Sequence, residues 1–224
     1  MRLVCVADTH LFEDSLPPVP EGDVLIHAGD MLRTGRLPEL DLVAQWLHRQ
    51  PHRHKVVIAG NHDWCFVRTP GPARARLEQE AIYLEDSEVT IDGVRIWGSP
   101  WQPEFFSWAF NLPRGEALAA KWARVPEGVD LLVTHGPPRG FGDRTTAGPQ
   151  GCDDLRHALD RIRPALHLFG HIHEDGGLWQ HGPTTIANVT TWECMRAATV
   201  LDYDPATRTV TPVEVPPRRP EALA

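Results

Sequence analysis

Paired cysteines, long apolar runs, an excess of positive charge and a dividing linker are all missing from this 224-residue sequence. The four cysteines, Cys5, Cys65, Cys152 and Cys194, lie far apart with no CxxC spacing. They read as reduced thiols of a cytosolic protein rather than a disulfide frame. No stretch approaches the roughly 20 apolar residues of a spanning helix, and the first apolar run, residues 3–7, is too short for a signal-peptide core. The net charge of −8 argues against a surface built to grip nucleic-acid phosphates, which needs a basic stripe. It leaves room for a small phosphorylated substrate, because bound cations reverse the local field of an acidic protein.

What is present suits one ordinary folded domain. Hydrophobic residues make up 42% and charged residues 23% of the chain, and a chain of this size buries roughly 70% of its unfolded surface. Short Val/Ile/Leu runs at 3–7, 24–28, 56–59, 94–97, 131–134 and 165–169 are near-continuous rather than alternating. That pattern predicts strands covered on both faces. Helical patterns lie between several of them, at 37–50, 73–82, 115–122 and 153–162, with Pro38 opening the first and Pro164 closing the last. Strand–helix alternation predicts an α/β layered domain. Residues 184–190, 199–203 and 209–215 read as further strands. One domain over 1–224 is expected, with 216–224 a frayed, Pro-rich tail.

Polar residues gather just past the predicted strand ends. They are Asp8-Thr9-His10, Gly29-Asp30, Gly60-Asn61-His62-Asp63, His135-Gly136 and Gly170-His171-Ile172-His173. In layered α/β proteins, ligand sites assemble at strand ends. Asp, Asn and His offer oxygen and nitrogen donors without thiolates, a mixture suited to Mn, Fe(II), Co or Zn. In D-x-H and H-x-H, side chains alternate along an extended segment, so each pair converges on one region. Any one of these residues is equally well read as a polar loop residue capping a helix; the five blocks together are not.

In order and spread, the five blocks resemble the signature of calcineurin-like metallophosphoesterases. A closer likeness is to the branch of metallophosphoesterase-domain-containing proteins, similar to class III phosphodiesterases. It rests on Gly98-Ser99-Pro100-Trp101, Trp108-Ala109-Phe110-Asn111-Leu112, His135-Gly136-Pro137-Pro138 and Phe169-Gly170-His171-Ile172-His173-Glu174. The resemblance implies a four-layer αββα sandwich of two mixed sheets flanked by helices. It implies two divalent metal ions, with manganese favoured and Fe, Zn, Co and Ni as alternatives. Asp8, His10, Asp30 and His173 would hold the first and Asp30, Asn61, His135 and His171 the second, with Asp30 bridging. His62 would face the phosphate as a catalytic residue, with Asp63 as its orienting partner. Some members of the branch carry glycine where this chain has His171; here the ligand set is complete.

The expected reaction is hydrolysis of a small phosphodiester or nucleotide by a metal-bridging hydroxide. The rivals are a phosphomonoesterase or protein phosphatase of the same fold, and a non-catalytic nucleotide-sensing or scaffold module. Partners are expected to be a small phosphoester and neither nucleic acid nor membrane; the sequence is silent on oligomeric state. The segment 97–114 is crowded with aromatic residues. Most of them read as loop packing, with Trp101, Asn111 and Arg114 as the substrate-binding candidates. The basic run 48–55 reads as a solvated turn.

Overall fold

The computed structural model describes residues 1–217. Along the chain the strands are β1 (Arg2–Val6), β2 (Val24–Ala28), β3 (His54–Ile58), β4 (Ile82–Tyr83), β5 (Ser87–Ile91), β6 (Val94–Ser99), β7 (Gln102–Pro103), β8 (Asn111–Leu112), β9 (Leu131–Thr134), β10 (Arg144–Thr145), β11 (Gly148–Pro149), β12 (Leu166–Phe169), β13 (Gly177–His181), β14 (Thr184–Asn188), β15 (Thr199–Asp204) and β16 (Thr209–Glu214). The helices are α1 (Leu37–Arg49), α2 (Cys65–Arg68), α3 (Pro70–Leu77), α4 (Glu116–Ala123) and α5 (Asp153–Ile162).

Two mixed six-stranded sheets carry the fold, in the orders β16-β15-β1-β2-β3-β4 and β13-β14-β12-β9-β6-β5. Four consecutive strands are parallel in each, β1 to β4 in one and β6, β9, β12 and β14 in the other. Antiparallel β15–β16, β13 and β5 close the edges. The near-continuous apolar runs are explained by three cores. Leu3, Cys5, Val24, Ile26, Val56 and Ile58 face Val94, Ile96, Leu131, Val133, Leu166 and Leu168 between the sheets. The alternate residues Val4, Val6, Leu25 and Val57 pack under Leu40, Val43, Trp46, Leu47 and Leu77 of α1 and α3. Leu132, Phe169 and Ile186 pack under Leu118 and Trp122 of α4 and Leu155, Leu159 and Ile162 of α5. Helix, sheet, sheet and helix form the four layers.

Helix boundaries follow local chemistry. Pro38 sits in the first turn of α1, and the Glu39 carboxylate accepts the backbone N–H of Gly35 at 2.9 Å. Cys152 caps α5, its thiol accepting the Leu155 N–H at 3.3 Å, and Arg163 ends it in a left-handed conformation before Pro164. The helix predicted over 73–82 runs instead from Pro70 to Leu77. Its last predicted residue begins β4, because Ile82 finds an edge position beside Val56. The tail expected to fray from Pro216 is held at its start. Pro216 is buried, and the carbonyls of Pro216 and Pro217 accept from Arg196, each at 2.8 Å. Residues 218–224 lie outside the described residues. Among the described residues, no helix is long and apolar enough to cross a membrane.

Candidate metal centre

Parallel strands place their carboxyl ends at one edge, and here both sheets do so at the same edge. Ala7, just past β1, pairs with Thr190, just past β14, joining the sheets there. Each strand end then turns sharply. Asp8, His10, Asp30 and His171 all have positive φ, between 47° and 70°. Non-glycine residues hold such angles only where the surroundings enforce them, and they cluster at sites.

The turns bring all seven predicted ligands together. Potential ligand atoms of Asp8, His10 and His173 lie within 4.8 Å of one another; so do those of His10, Asp30 and His62, and of Asp30, His135 and His171. Asp30 Oδ2 stands 3.8 Å from His10 Nε2 and 3.4 Å from His135 Nε2, between two donor groups. Asn61 Oδ1 is 2.9 Å from His135 Nε2. Backbone contacts orient the donors. His10 Nδ1 meets the Leu32 carbonyl at 3.1 Å, His135 Nδ1 meets that of Ala28 at 3.0 Å, and both Asp8 oxygens accept the His171 N–H at 3.0 Å. With Nδ1 bound to a carbonyl, each of these two rings offers Nε2 to a cation. Two glycines are required by the crowding. A Cβ on Gly60 would collide with Asp30 Oδ1, and one on Gly170 would lie 2.6 Å from Asp8 Oδ2.

The electrostatics describe a cavity shaped for positive charge. Burial alone would raise the Asp30 pKa, but the charge and hydrogen bond of His135, with His10 behind them, hold it well below the usual carboxylate range. His135 answers in kind. Burial opposes its charge, yet Asp30 raises its pKa to about 9. A proton on His135 thus occupies a place that carboxylate, amide and imidazole donors would surrender to a divalent cation. Desolvation, and then the charge of His135, lowers His171 to about 3, so that ring is neutral and ready to ligate.

His62 lies at the cleft, with Nδ1 held by the Arg33 carbonyl at 2.9 Å. Asp63 is not its orienting partner. That carboxylate is fully buried and points away, Oδ2 accepting the N–H of Gly60 at 2.7 Å and of Asp30 at 3.0 Å, and Oδ1 that of Leu32 at 3.0 Å. It ties the turn after β2 to the turn after β3. Burial and the Asp30 charge raise its pKa, against the pull of those donors.

A cleft of about 640 Å³ opens over the cluster, lined by His10, Asp30, Asn61, His62, His171 and His173. Its walls differ from the sequence-based expectation. Arg114 lines it, but Trp101 and Asn111 do not. Trp101 Nε1 donates to Asp86 at 3.1 Å and its ring packs edge-on against Phe110. Asn111 is spent within its own loop, accepting from Gln102 Nε2 and donating to the Phe105 carbonyl, each at 2.8 Å. The aromatic wall consists of Phe105, Phe106 and Trp108, with Trp192 also lining the cleft. Only the clustering of aromatics signalled this; which rings turn inward depends on the pairing of two-residue strands β7 and β8.

Two mixed sheets with a His and Asp cluster able to hold metal at their shared edge are the layout expected of a metal-dependent phosphoesterase. The calcineurin-like phosphoesterase family profile matches residues 1–175, and the chain belongs to that family. It is 45% identical over 214 residues to Metallophosphoesterase domain-containing protein 1 of Homo sapiens, covering 84% of this chain and 65% of that protein. It is 37% identical over 201 residues to a UPF0046 protein of Caenorhabditis elegans, covering 84% of this chain and 69% of the relative. The chain therefore spans slightly less than two thirds of the human relative's length. The crystal structure of TT1561 of Thermus thermophilus superposes with a TM-score of 0.65 at 13% identity, over 95% of this chain and 98% of that one, which shows a shared fold.

Proposed function

We propose that this chain hydrolyses a small phosphodiester or nucleotide at a centre of two divalent cations. The observation that carries the reading is the position of Asp30, one carboxylate within reach of two sets of donors. Asp8, His10, Asp30 and His173 would hold one cation, and Asp30, Asn61, His135 and His171 the other. When bound, such a pair supplies an ionised water near neutral pH and positive charge for the phosphoryl oxygens. Manganese is the favoured ion on donor chemistry.

The chain's own residues supply the rest. His135 must release its proton before ligating, so binding is linked to pH. His62 faces the cleft with Nδ1 fixed on a carbonyl, so its Nε2 points free and, when the ring carries a second proton as imidazolium, donates to a phosphoryl or leaving oxygen. Outside the cation pair, the lining offers little free positive charge for the second negative charge of a monoester. Arg114 is the cationic Arg/Lys residue among its lining residues, and that guanidinium is engaged by the carbonyls of Gly151 and Gln150 at 2.7 Å. Glu104 and Glu174 also line the cleft. Away from the two cations, a monoanionic diester meets less repulsion from these carboxylates than a dianionic monoester. The net charge and four buried, unpaired cysteines support a cytoplasmic setting and a small-molecule substrate rather than nucleic acid or membrane.

The test is turnover of bis-p-nitrophenyl phosphate against p-nitrophenyl phosphate by protein loaded with Mn²⁺. Diester cleavage at the higher kcat/KM, abolished by EDTA and restored by metal, is the expected result. A folded, metal-loaded sample that cleaves neither ester overturns the reading, and a preference for the monoester overturns its diester part.

A further inference from the structure

The indole of Trp108 stacks on the imidazole of His62, with ring centroids 4.2 Å apart and planes at 26°. The chain fastens this stack at the next residue. Ala109 N–H donates to the Asn61 carbonyl at 3.2 Å, and the Ala109 carbonyl accepts from Gln102 Nε2 at 2.8 Å. Trp108 and His62 thus sit on neighbouring peptide groups joined by a backbone hydrogen bond. The His10 ring also approaches His62, edge-on at 4.6 Å and 73°.

We infer that Trp108 is a positioning residue for His62, an inference that rests on the hydrolase reading above. A hydrogen bond from Nδ1 to the Arg33 carbonyl fixes one point of the imidazole but not its plane. The ring remains free to turn about that bond unless something lies against its face. Trp108 lies against it, so Nε2 keeps one direction into the cleft. Proton donation to a leaving oxygen depends on that direction, since misplacement of about 1 Å costs on the order of 100-fold in rate. Trp108 also lines the cleft, which invites a different role as a stacking platform for substrate. The face turned to His62 is already covered, and this favours positioning.

The two roles separate in kinetics. Trp108→Leu in metal-loaded protein should lower kcat by about 10- to 100-fold on a diester with a poor alkoxide leaving group, with KM held within about twofold. The loss should be smaller on a p-nitrophenyl ester, whose leaving group needs no proton. Trp108→Phe, which keeps a ring on the imidazole, should recover most of the rate. In a His62→Ala background, adding Trp108→Leu should change kcat by less than about twofold, because the two side chains act through one step. The His62 ring protons, shifted upfield by the indole, should move downfield in Trp108→Leu by NMR. A raised KM with kcat intact would make Trp108 a substrate wall and overturn the inference. So would an equal loss of kcat with and without His62. Wild-type protein that is folded, metal-loaded and inactive on every ester would sink the hydrolase reading and this inference together; additive variants of an active enzyme would sink the inference alone.

Discussion

Five strand ends from two sheets form the candidate metal cradle, whereas the wall facing it comes mainly from one excursion of chain, residues 101–115, with the short β10–β11 hairpin and Trp192. The cradle's Asp8, His10, Asp30, Asn61 and His135 are buried, and backbone groups of other turns fix most of them. The wall includes Phe106, which is 86% exposed, and half-buried Phe105 and Trp108. Its ties to the rest of the molecule include Ala109 to Asn61, Trp101 to Asp86, and Arg114 across to Gln150 and Gly151; others, such as Gln102 to Phe110 and Glu104 to Leu112, lie within the segment. Side chains that hold cations need fixed geometry and sit where sheet pairing determines the backbone. Side chains that would meet a substrate on the reading proposed above sit on a loop outside the two large sheets.

Asp63→Asn should break the cradle while leaving the wall's own contacts intact, with the largest effect of the changes considered. The amide would present an NH₂ to backbone donors, either those of Gly60 and Asp30 or that of Leu32. At least one buried N–H is then orphaned and a second group clashes with it. A loss of about 3 kcal/mol follows, read by urea unfolding of metal-loaded protein. Metal affinity should fall about 10- to 100-fold, as for other residues that orient ligands. Stability and affinity close to wild type would show that the turns after β2 and β3 hold themselves.

Acid should distinguish the two regions next. Two neutral imidazoles lie directly behind the cradle. His27 Nε2 meets Thr9 Oγ1 at 3.0 Å, between candidate ligands Asp8 and His10, and His167 Nε2 meets Thr134 Oγ1 at 2.8 Å, beside His135. Burial lowers the pKa of each to about 3 from 6.5. The unfolded chain therefore binds protons that the folded chain refuses in that window. Stability falls as pH drops below 6.5, and the loss levels off near 3. At pH 5 each histidine costs about 2 kcal/mol relative to pH 7. Urea unfolding of metal-free wild type and His167→Gln at both pH values isolates the term, since other groups cancel. The gap between pH 7 and pH 5 should shrink by about 2 kcal/mol in the variant; an unchanged gap would mean that His167 is protonated in the fold.

The same contrast explains what could be read from the sequence. Apolar runs covered on both faces announced the parallel strands, and the ligand types at their ends announced the metal cluster, because each signal lies within a few consecutive residues. Strand β5, with exposed alternate positions, and the two-residue strands β7, β8, β10 and β11 gave no such signal. The role of Asp63 is not legible in the sequence because its partners are backbone N–H groups, which carry no residue type. Trp101 and Trp108 exchanged roles for a similar reason. Which tryptophan meets Asp86 and Lys121, and which meets His62, is decided by where a loop returns to Asn61.

Phe106 gives the smallest and sharpest comparison. Its φ of 45° is left-handed, and its ring touches Phe105 edge-on at 5.9 Å while lining the cleft. Phe106→Gly removes the ring and relaxes the backbone, so the fold should keep its stability to within about 0.5 kcal/mol. If the wall serves substrate, the variant should raise KM about three- to tenfold for a diester bearing an aromatic group, since one lost aromatic contact is worth about 1 kcal/mol. KM for a dimethyl-type ester should stay unchanged, because a methyl group offers no face to stack. Measured in parallel by initial rates, equal KM changes on both esters would mean that the ring shapes the cleft rather than touching substrate. A stability loss above about 1 kcal/mol would go further, making this exposed ring part of the packing and erasing the difference between the cradle and the wall.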